Sequence, residues 1–243
     1  MVATEQKLDR AGVIAALAAF SFWGLVPIYY KGLQTVSAWE VLAHRVIWSV
    51  PLLAIFLLIR DRGQFWNRLR LPLTSIAWLV LSGLTVSINW LVFVWAVAND
   101  HILDTSLGYF GTPLVNVLLG YLFLKERLSR PRFIAVVLAA MGTFYLAWYL
   151  GRPPWIAMTL AVSFGLYGLL RKRLTVGPML GLLWETTLMF PVALTFLLRS
   201  YSQSNMQFLH VSPVIDFFLV GSALVTVLPL IWFNMAAQKL PLS

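Results

Sequence analysis

The sequence predicts an all-α integral membrane protein built from inverted helical repeats, and three observations carry that prediction. Hydrophobic residues make up 60% of the 243 residues and charged residues 11%, against about 25% charged in soluble globular domains. The apolar residues gather into stretches close to the roughly 20 residues that cross a hydrocarbon core, and the basic residues gather in alternate connections between them. Three later stretches repeat three earlier ones in the same order. The length suits roughly eight spans with short connections and leaves little for a soluble domain. Zero cysteines exclude disulfides, thiolate metal sites and cysteine nucleophiles.

Predominantly apolar stretches lie near residues 11–30, 41–59, 74–97, 105–124, 133–150, 155–170, 178–198 and 214–237. Lys7 and Arg10 before the first resemble the charged start of a signal peptide. The apolar run that follows is too long for one and continues through Trp23, Gly24 and Pro27, so it reads as a retained helix. The fifth stretch carries Ala135, Ala139 and Gly142 at small-residue spacing, the pattern of a helix-packing or homodimer face.

Orientation follows from the connections. Lys7, Arg10, Arg60, Arg62, Arg68, Arg70, Lys125, Arg127, Arg130, Arg132, Arg171, Lys172, Arg173 and Lys239 put fourteen basic residues on one side, against Lys31, Arg152 and Arg199 on the other. Short basic loops stay cytoplasmic, so the N-terminus is expected inside. The net charge of +9 is thereby explained by orientation and contact with anionic lipid. It gives no nucleic-acid signature, since no aromatic-basic platform lies outside a span.

The chain repeats itself in reverse. "FSFWGL" at Phe20–Leu25 matches "FGLYGL" at Phe164–Leu169, "RVIWSVP" from Arg45 to Pro51 matches "ETTLMFP" from Glu185 to Pro191, and "LTVSINWLVFVWAVA" matches "LVTVLPLIWFNMAA". The three offsets are nearly equal. Five spans separate each matching pair, so the second copy enters the membrane in the opposite direction. Inverted repeats recur in secondary transporters, whose substrate site lies near the midplane between the halves.

The stretch "TPLVNVLLGYLFLKERLS", Thr112–Ser129, resembles the fourth-helix signature of the EamA branch of the drug/metabolite transporter superfamily, with Lys125 in place of the usual Gly. "AHRVIWS", "NWLVFVWAV" and "SLGYF" extend the resemblance over essentially the whole chain. It implies a bacterial inner-membrane permease of ten helices in two five-helix inverted repeats, alternating access and export of small metabolites or drugs. Residues 1–152 then form the first repeat, with five transmembrane helices. Residues 153–243 form the second, with three, and the last two of ten are missing because Ser243 aligns with Asp104.

Candidate functional residues follow from polarity inside the spans. Glu40, His44 and Arg45 crowd the start of "EVLAHRVIWSVPLLAIFLLI". Arg45 has two readings: it snorkels outward to pair with Glu40, Asp100 or Asp104, or it faces substrate or a gate. Glu185, aligned with Arg45, is the carboxylate expected well inside a span with no charged partner, and hence the proposed proton-coupling group. A structural hydrogen bond is the competing role. Ser82, Thr85 and Asn89 stripe one face of the third span; Thr105, Tyr109, Thr112 and Asn116 stripe the fourth; Thr159, Ser163 and Tyr167 stripe the sixth. Such groups also simply tie helices together, at about 0.6 kcal/mol each. With Trp23, Tyr29, Trp90, Trp95 and Asn234 they compose the expected substrate pathway, while Tyr30 reads as an interfacial belt residue. His44 reads as an interfacial hydrogen-bonding residue, and His101 and His210 as solvated loop residues.

No phosphate-cradling loop, metal constellation or activated nucleophile is found in the sequence, so no catalysis, cofactor or metal is expected. The leading class is a secondary transporter of a small-molecule substrate. The alternative is a non-transporting membrane subunit or receptor-like protein, including an inactive truncated transporter.

Overall fold

The structure, a computed structural model, describes residues 9–125, 129–149 and 154–240. Lys7, Arg127, Arg152, Ser243 and part of the Lys125–Arg127 turn lie outside the described residues. The elements are α1 (Arg10–Lys31), α2 (Ala38–Asp61), a 3-10 turn (Arg62–Gln64), the short α3 (Phe65–Arg68), α4 (Leu73–Ala98), α5 (Ile102–Leu124), α6 (Arg130–Tyr149), α7 (Trp155–Arg173), α8 (Pro178–Ser202) and α9 (Pro213–Lys239). No strand occurs among the described residues. In hydrocarbon each backbone polar group needs an internal partner, which a helix supplies within itself.

Six helices, α1, α2, α4, α5, α8 and α9, are long and apolar enough to cross a membrane. α6 has a shorter apolar core, Phe133–Leu146. α7 ends in Arg171, Lys172 and Arg173 and is enclosed by α4, α5 and α9, so its sides meet protein more than lipid. Expected ends and observed ends agree within a few residues. The 3-10 turn and α3 were not expected from the apolar pattern.

Local chemistry fixes several ends. The Asp9 carboxylate accepts from the backbone N–H groups of Ala11 and Gly12, at 2.8 and 3.1 Å, and caps α1. Ser212 caps α9 through its hydroxyl to the N–H of Val214. α5 ends at Lys125 with φ 56° and ψ 30°, its N–H donating to Gly120 O. That left-handed conformation is the one glycine adopts freely, so Lys125 is strained there.

The strongest packing pairs α1 with α9, α4 with α7, α2 with α8 and α5 with α7. α2 also lies on α9 and α4 on α8. α6 rests on α5 alone among the well-packed pairs, and its Ala135, Ala139 and Gly142 face is uncovered. Where α5 crosses α7 the backbones approach closely. A Cβ at Gly108 would stand 2.9 Å from Leu160 Cβ, and one at Gly165 2.7 Å from Val115 Cγ1.

Polar contacts sort the helix ends into two groups. In one, Lys239 pairs with Asp9 at 3.1 Å, Lys172 Nζ donates to Leu240 O at 3.1 Å, Arg173 Nη2 donates to Phe123 O at 2.8 Å, and Gln238 donates to Val176 O at 2.9 Å. In the other, the backbone N–H groups of Gln207 and Phe208 donate to Glu40 Oε1 at 2.9 and 3.0 Å, Trp95 meets Trp155, and Lys31 pairs with Asp100. The Lys31 ammonium holds the Asp100 carboxyl below the usual carboxylate range. Lys172, Arg173 and Lys239 belong to the first group.

Gly165→Val is expected to destabilise the protein by about 1–3 kcal/mol, because the added methyls must displace Val115. Gly142→Val, where a Cβ meets nothing within 4 Å, is expected to leave stability unchanged. Unfolding midpoints in one detergent check the contrast, and equal midpoints would refute the tight α5–α7 crossing.

Candidate substrate pathway

Two buried polar centres stand inside the helix bundle. The first is built on α8 and α7. Glu185 is 2% exposed and accepts from Ser82 Oγ of α4 through Oε1, from Tyr167 Oη through Oε2 at 3.4 Å, and lies 3.5 Å from Arg171 Nη1. Tyr167 Oη in turn accepts from Asn234 Nδ2 of α9 at 2.8 Å. Three helices thus meet on one carboxylate, and α9 joins them through Tyr167.

This corrects the expectation that Glu185 lacks a charged partner and that Arg171 is a loop residue. α7 continues to Arg173, so Arg171 falls on the same face as Ser163 and Tyr167, at i, i+4 and i+8. Its side chain is fully buried, in room left by Gly181, where any Cβ would collide with the guanidinium. The Arg171 Nη2 group also approaches Pro178 O at 3.5 Å. The clue was available: the polar stripe Thr159, Ser163, Tyr167 extends by one more step of four to Arg171.

The second centre is built on α2. Arg45 is 5% exposed, and its Nε donates to Thr226 Oγ1 of α9 at 2.8 Å. Its guanidinium carbon stands 4.5 Å from the Trp90 ring centroid and 5.1 Å from that of Tyr30. The pairing with Glu40, Asp100 or Asp104 is not what forms. Glu40 caps the Gln207–Phe208 turn, Asp100 takes Lys31, and Asp104 meets His101 at 3.1 Å. Tyr30 is likewise not a belt residue, being 2% exposed against Arg45. His101 is a quarter exposed rather than fully solvated, and His44 is buried, its Nδ1 accepting from Trp48 Nε1 at 3.1 Å.

Aromatic contacts join the two centres. Tyr30 meets Phe93, Phe93 meets Tyr109, Tyr109 meets Phe164, and Phe164 meets Tyr167, with ring centroids 5.9 to 6.5 Å apart. Trp23 packs on Phe164 and Phe233 at the side of this chain. A tight crevice too small for a water molecule lies among α2, α4 and α8, touching Gly83, Val86, Trp90 and Glu185.

The other expected residues divide. Asn89 Nδ2 donates to Leu160 O and Ser163 Oγ, each at 3.0 Å, and ties α4 to α7. Asn116 Oδ1 is buried without a partner beside Gly165. Thr85, Thr105 and Thr112 bond carbonyls of their own helices. Tyr29 donates to Phe218 O and clamps α1 to α9, and Trp95 stacks on His101 at the bundle end, away from both centres. Among the described residues no cluster of His, Asp and Glu is arranged to hold a metal ion.

Removing one member of a buried ion pair strands the other and costs about 3–5 kcal/mol. Arg171→Leu and Glu185→Leu are each expected to lose that much stability, whereas the double variant should lose clearly less than their sum. A double-mutant cycle on unfolding free energy checks this, and strict additivity would show the pair to be uncoupled.

The EamA-like transporter family matches residues 10–148. The chain is similar to Protein RarD of Escherichia coli, 40% identical over 240 residues that span 98% of this chain and 81% of the relative. It is similar to uncharacterized transporters of Pseudomonas aeruginosa, 40% identical over 96% of this chain and 78% of the relative, and of Bacillus subtilis, 41% identical over the same shares. No solved structure matches with significance. The matched family, the near-complete coverage by RarD-like relatives and the buried polar helices agree: this chain belongs to the EamA-like transporter family of multi-pass membrane proteins.

Proposed function

We propose that the protein is a secondary transporter that exports small molecules across the bacterial inner membrane by alternating access between two inverted repeats. The observation that carries this reading is the pair of buried polar centres on helices of both halves, joined by aromatic side chains. Ionisable groups inside a membrane are costly and mark substrate or ion pathways. Family membership supports the transporter class, and the small-molecule substrate and lipid bilayer come with it.

The packing supports the inverted repeat. Exchanging α1 with α7, α2 with α8 and α4 with α9 turns the α1–α9 contact into α7–α4, the α2–α9 contact into α8–α4, and leaves α2–α8 unchanged. A set of contacts that survives this exchange is what a two-fold axis in the membrane plane produces. All eight long helices then cross the membrane, with the first five in one repeat and the last three in the other.

Within this reading Trp23, Asn89, Trp90, Tyr109, Asn116, Ser163, Tyr167 and Asn234 face the pathway, and Glu185 is the coupling carboxylate. Adding a proton to Glu185 removes the charge that holds Arg171 and Ser82, and so releases the contact among α4, α7 and α8. That is the kind of two-state element a gradient can drive.

Reconstituted vesicles test the proposal. Asn89→Leu is expected to reduce flux, and Glu185→Gln to abolish its stimulation by an imposed pH gradient while the protein remains folded. Flux and stimulation that both persist would remove these residues from the mechanism. A folded wild-type protein without flux toward any small solute would favour the non-transporting membrane subunit.

Orientation is tested separately, in a chain without native cysteine. Arg68→Cys is expected to resist an impermeant thiol reagent in intact cells, and Asp100→Cys to react with it. The reverse pattern would place the N-terminus outside.

A further inference from the structure

Arg45 is a buried cation that the protein leaves half answered. Its Nε is bonded to Thr226, but Nη1 is buried with no hydrogen-bond partner, and the Oη of Tyr30, whose ring lies against the guanidinium, is buried without one as well. Among the described residues the guanidinium forms no ion pair: Glu40, Asp100, Asp104 and Glu185 each meet other partners. The other deep cation, Arg171, is balanced by Glu185. One positive charge therefore stands uncompensated within the described helices. Burying an unpaired charge is costly, and cation–π contacts offset only part of that cost. Such a residue persists where something else completes it.

We propose that Arg45 is the anion-binding residue of the pathway, and that the transported substrate is an organic monoanion, a carboxylate on an apolar or aromatic body. This rests on the transporter reading above and names its substrate class. The free edge of the guanidinium offers a carboxylate the fork it binds best. Tyr30 Oη supplies a further donor. A single negative charge restores neutrality, whereas a dianion would leave one charge over. The walls suit an apolar body: Trp90 and Tyr30 flank the cation. Four helices, α1, α2, α4 and α9, contribute to the site, so occupancy would be felt by both repeats.

The test is equilibrium binding of radiolabelled benzoate to the full chain in nanodiscs of zwitterionic phosphatidylcholine. Saturable binding is expected, displaced by unlabelled benzoate but not by benzamide, its neutral counterpart. Arg45→Gln should weaken benzoate binding about tenfold or more, the loss of a charge-assisted hydrogen-bonded contact. Arg45→Lys, which keeps the charge without the fork, should retain part of it. Thr226→Val, which removes the hydroxyl that aims the guanidinium, should weaken binding by less, and it serves with Arg45→Lys if Arg45→Gln fails to fold. No benzoate binding by the wild type, equal competition by benzamide, or undiminished binding by folded Arg45→Gln would overturn the proposal. Displacement of benzoate when phosphatidylglycerol is added to the disc would assign the site to a lipid headgroup and overturn it too. Arg45-dependent binding without flux in vesicles would refute the transporter reading and leave the anion site standing. Flux of a neutral solute that depends on Asn89, with no benzoate binding, would do the opposite.

Discussion

The contact between Arg171 and Glu185 is the constraint around which the rest of the bundle is arranged. Neither group can be left alone in a low-dielectric interior, and neither reaches water, since both are essentially fully buried. Each must therefore be met by the other and by further hydrogen bonds. The consequences spread through four helices. α7 must extend to Arg173, α8 must carry Gly181 where the guanidinium passes, α4 must bring Ser82 to the carboxylate, and α9 must hold Tyr167 in place through Asn234. At Gly83 α4 lies close to the Glu185 backbone, where an added Cβ would make an ordinary contact at 3.5 Å.

Much of this fold was legible in the sequence, because hydrocarbon thickness dictates segment length. The stretch read as 74–97 is the helix Leu73–Ala98, and that read as 214–237 is Pro213–Lys239. Arg171 was misread for a physical reason. Its two successors are loop-side cations, and counting charges by sequence position ignores helical phase, which turned Arg171 inward while Arg173 reached Phe123 O at the surface. Tyr30 was misread in the same way. A tyrosine beside a basic helix end reads as a belt residue, and nothing local announces that Arg45, fifteen residues on, returns to meet it. Thr226 gave no signal of its own, since its role exists only once α2 lies on α9.

The polar stripes taught a finer distinction. Of the residues on α4, Ser82 and Asn89 reach across to α8 and α7, while Thr85 turns back to its own helix. Spacing identifies the face, and only packing decides which hydroxyl finds an interhelical partner. Tyr29 illustrates the reverse outcome: an aromatic expected to line a pathway instead clamps α1 to α9 through a carbonyl.

The two charge centres share a local setting, each six residues before a proline inside its helix, Arg45 before Pro51 on α2 and Glu185 before Pro191 on α8. Their completion differs. Glu185 has acquired a cation from the neighbouring helix and closes its half of the bundle, whereas Arg45 has acquired aromatic faces and one hydroxyl and leaves donors open. A closed acid at one centre and an open cation at the other leave one positive charge over among the described groups of the two centres. The same asymmetry separates the roles: the closed pair can hold two helices together or release them, and the open cation can wait for what passes between them.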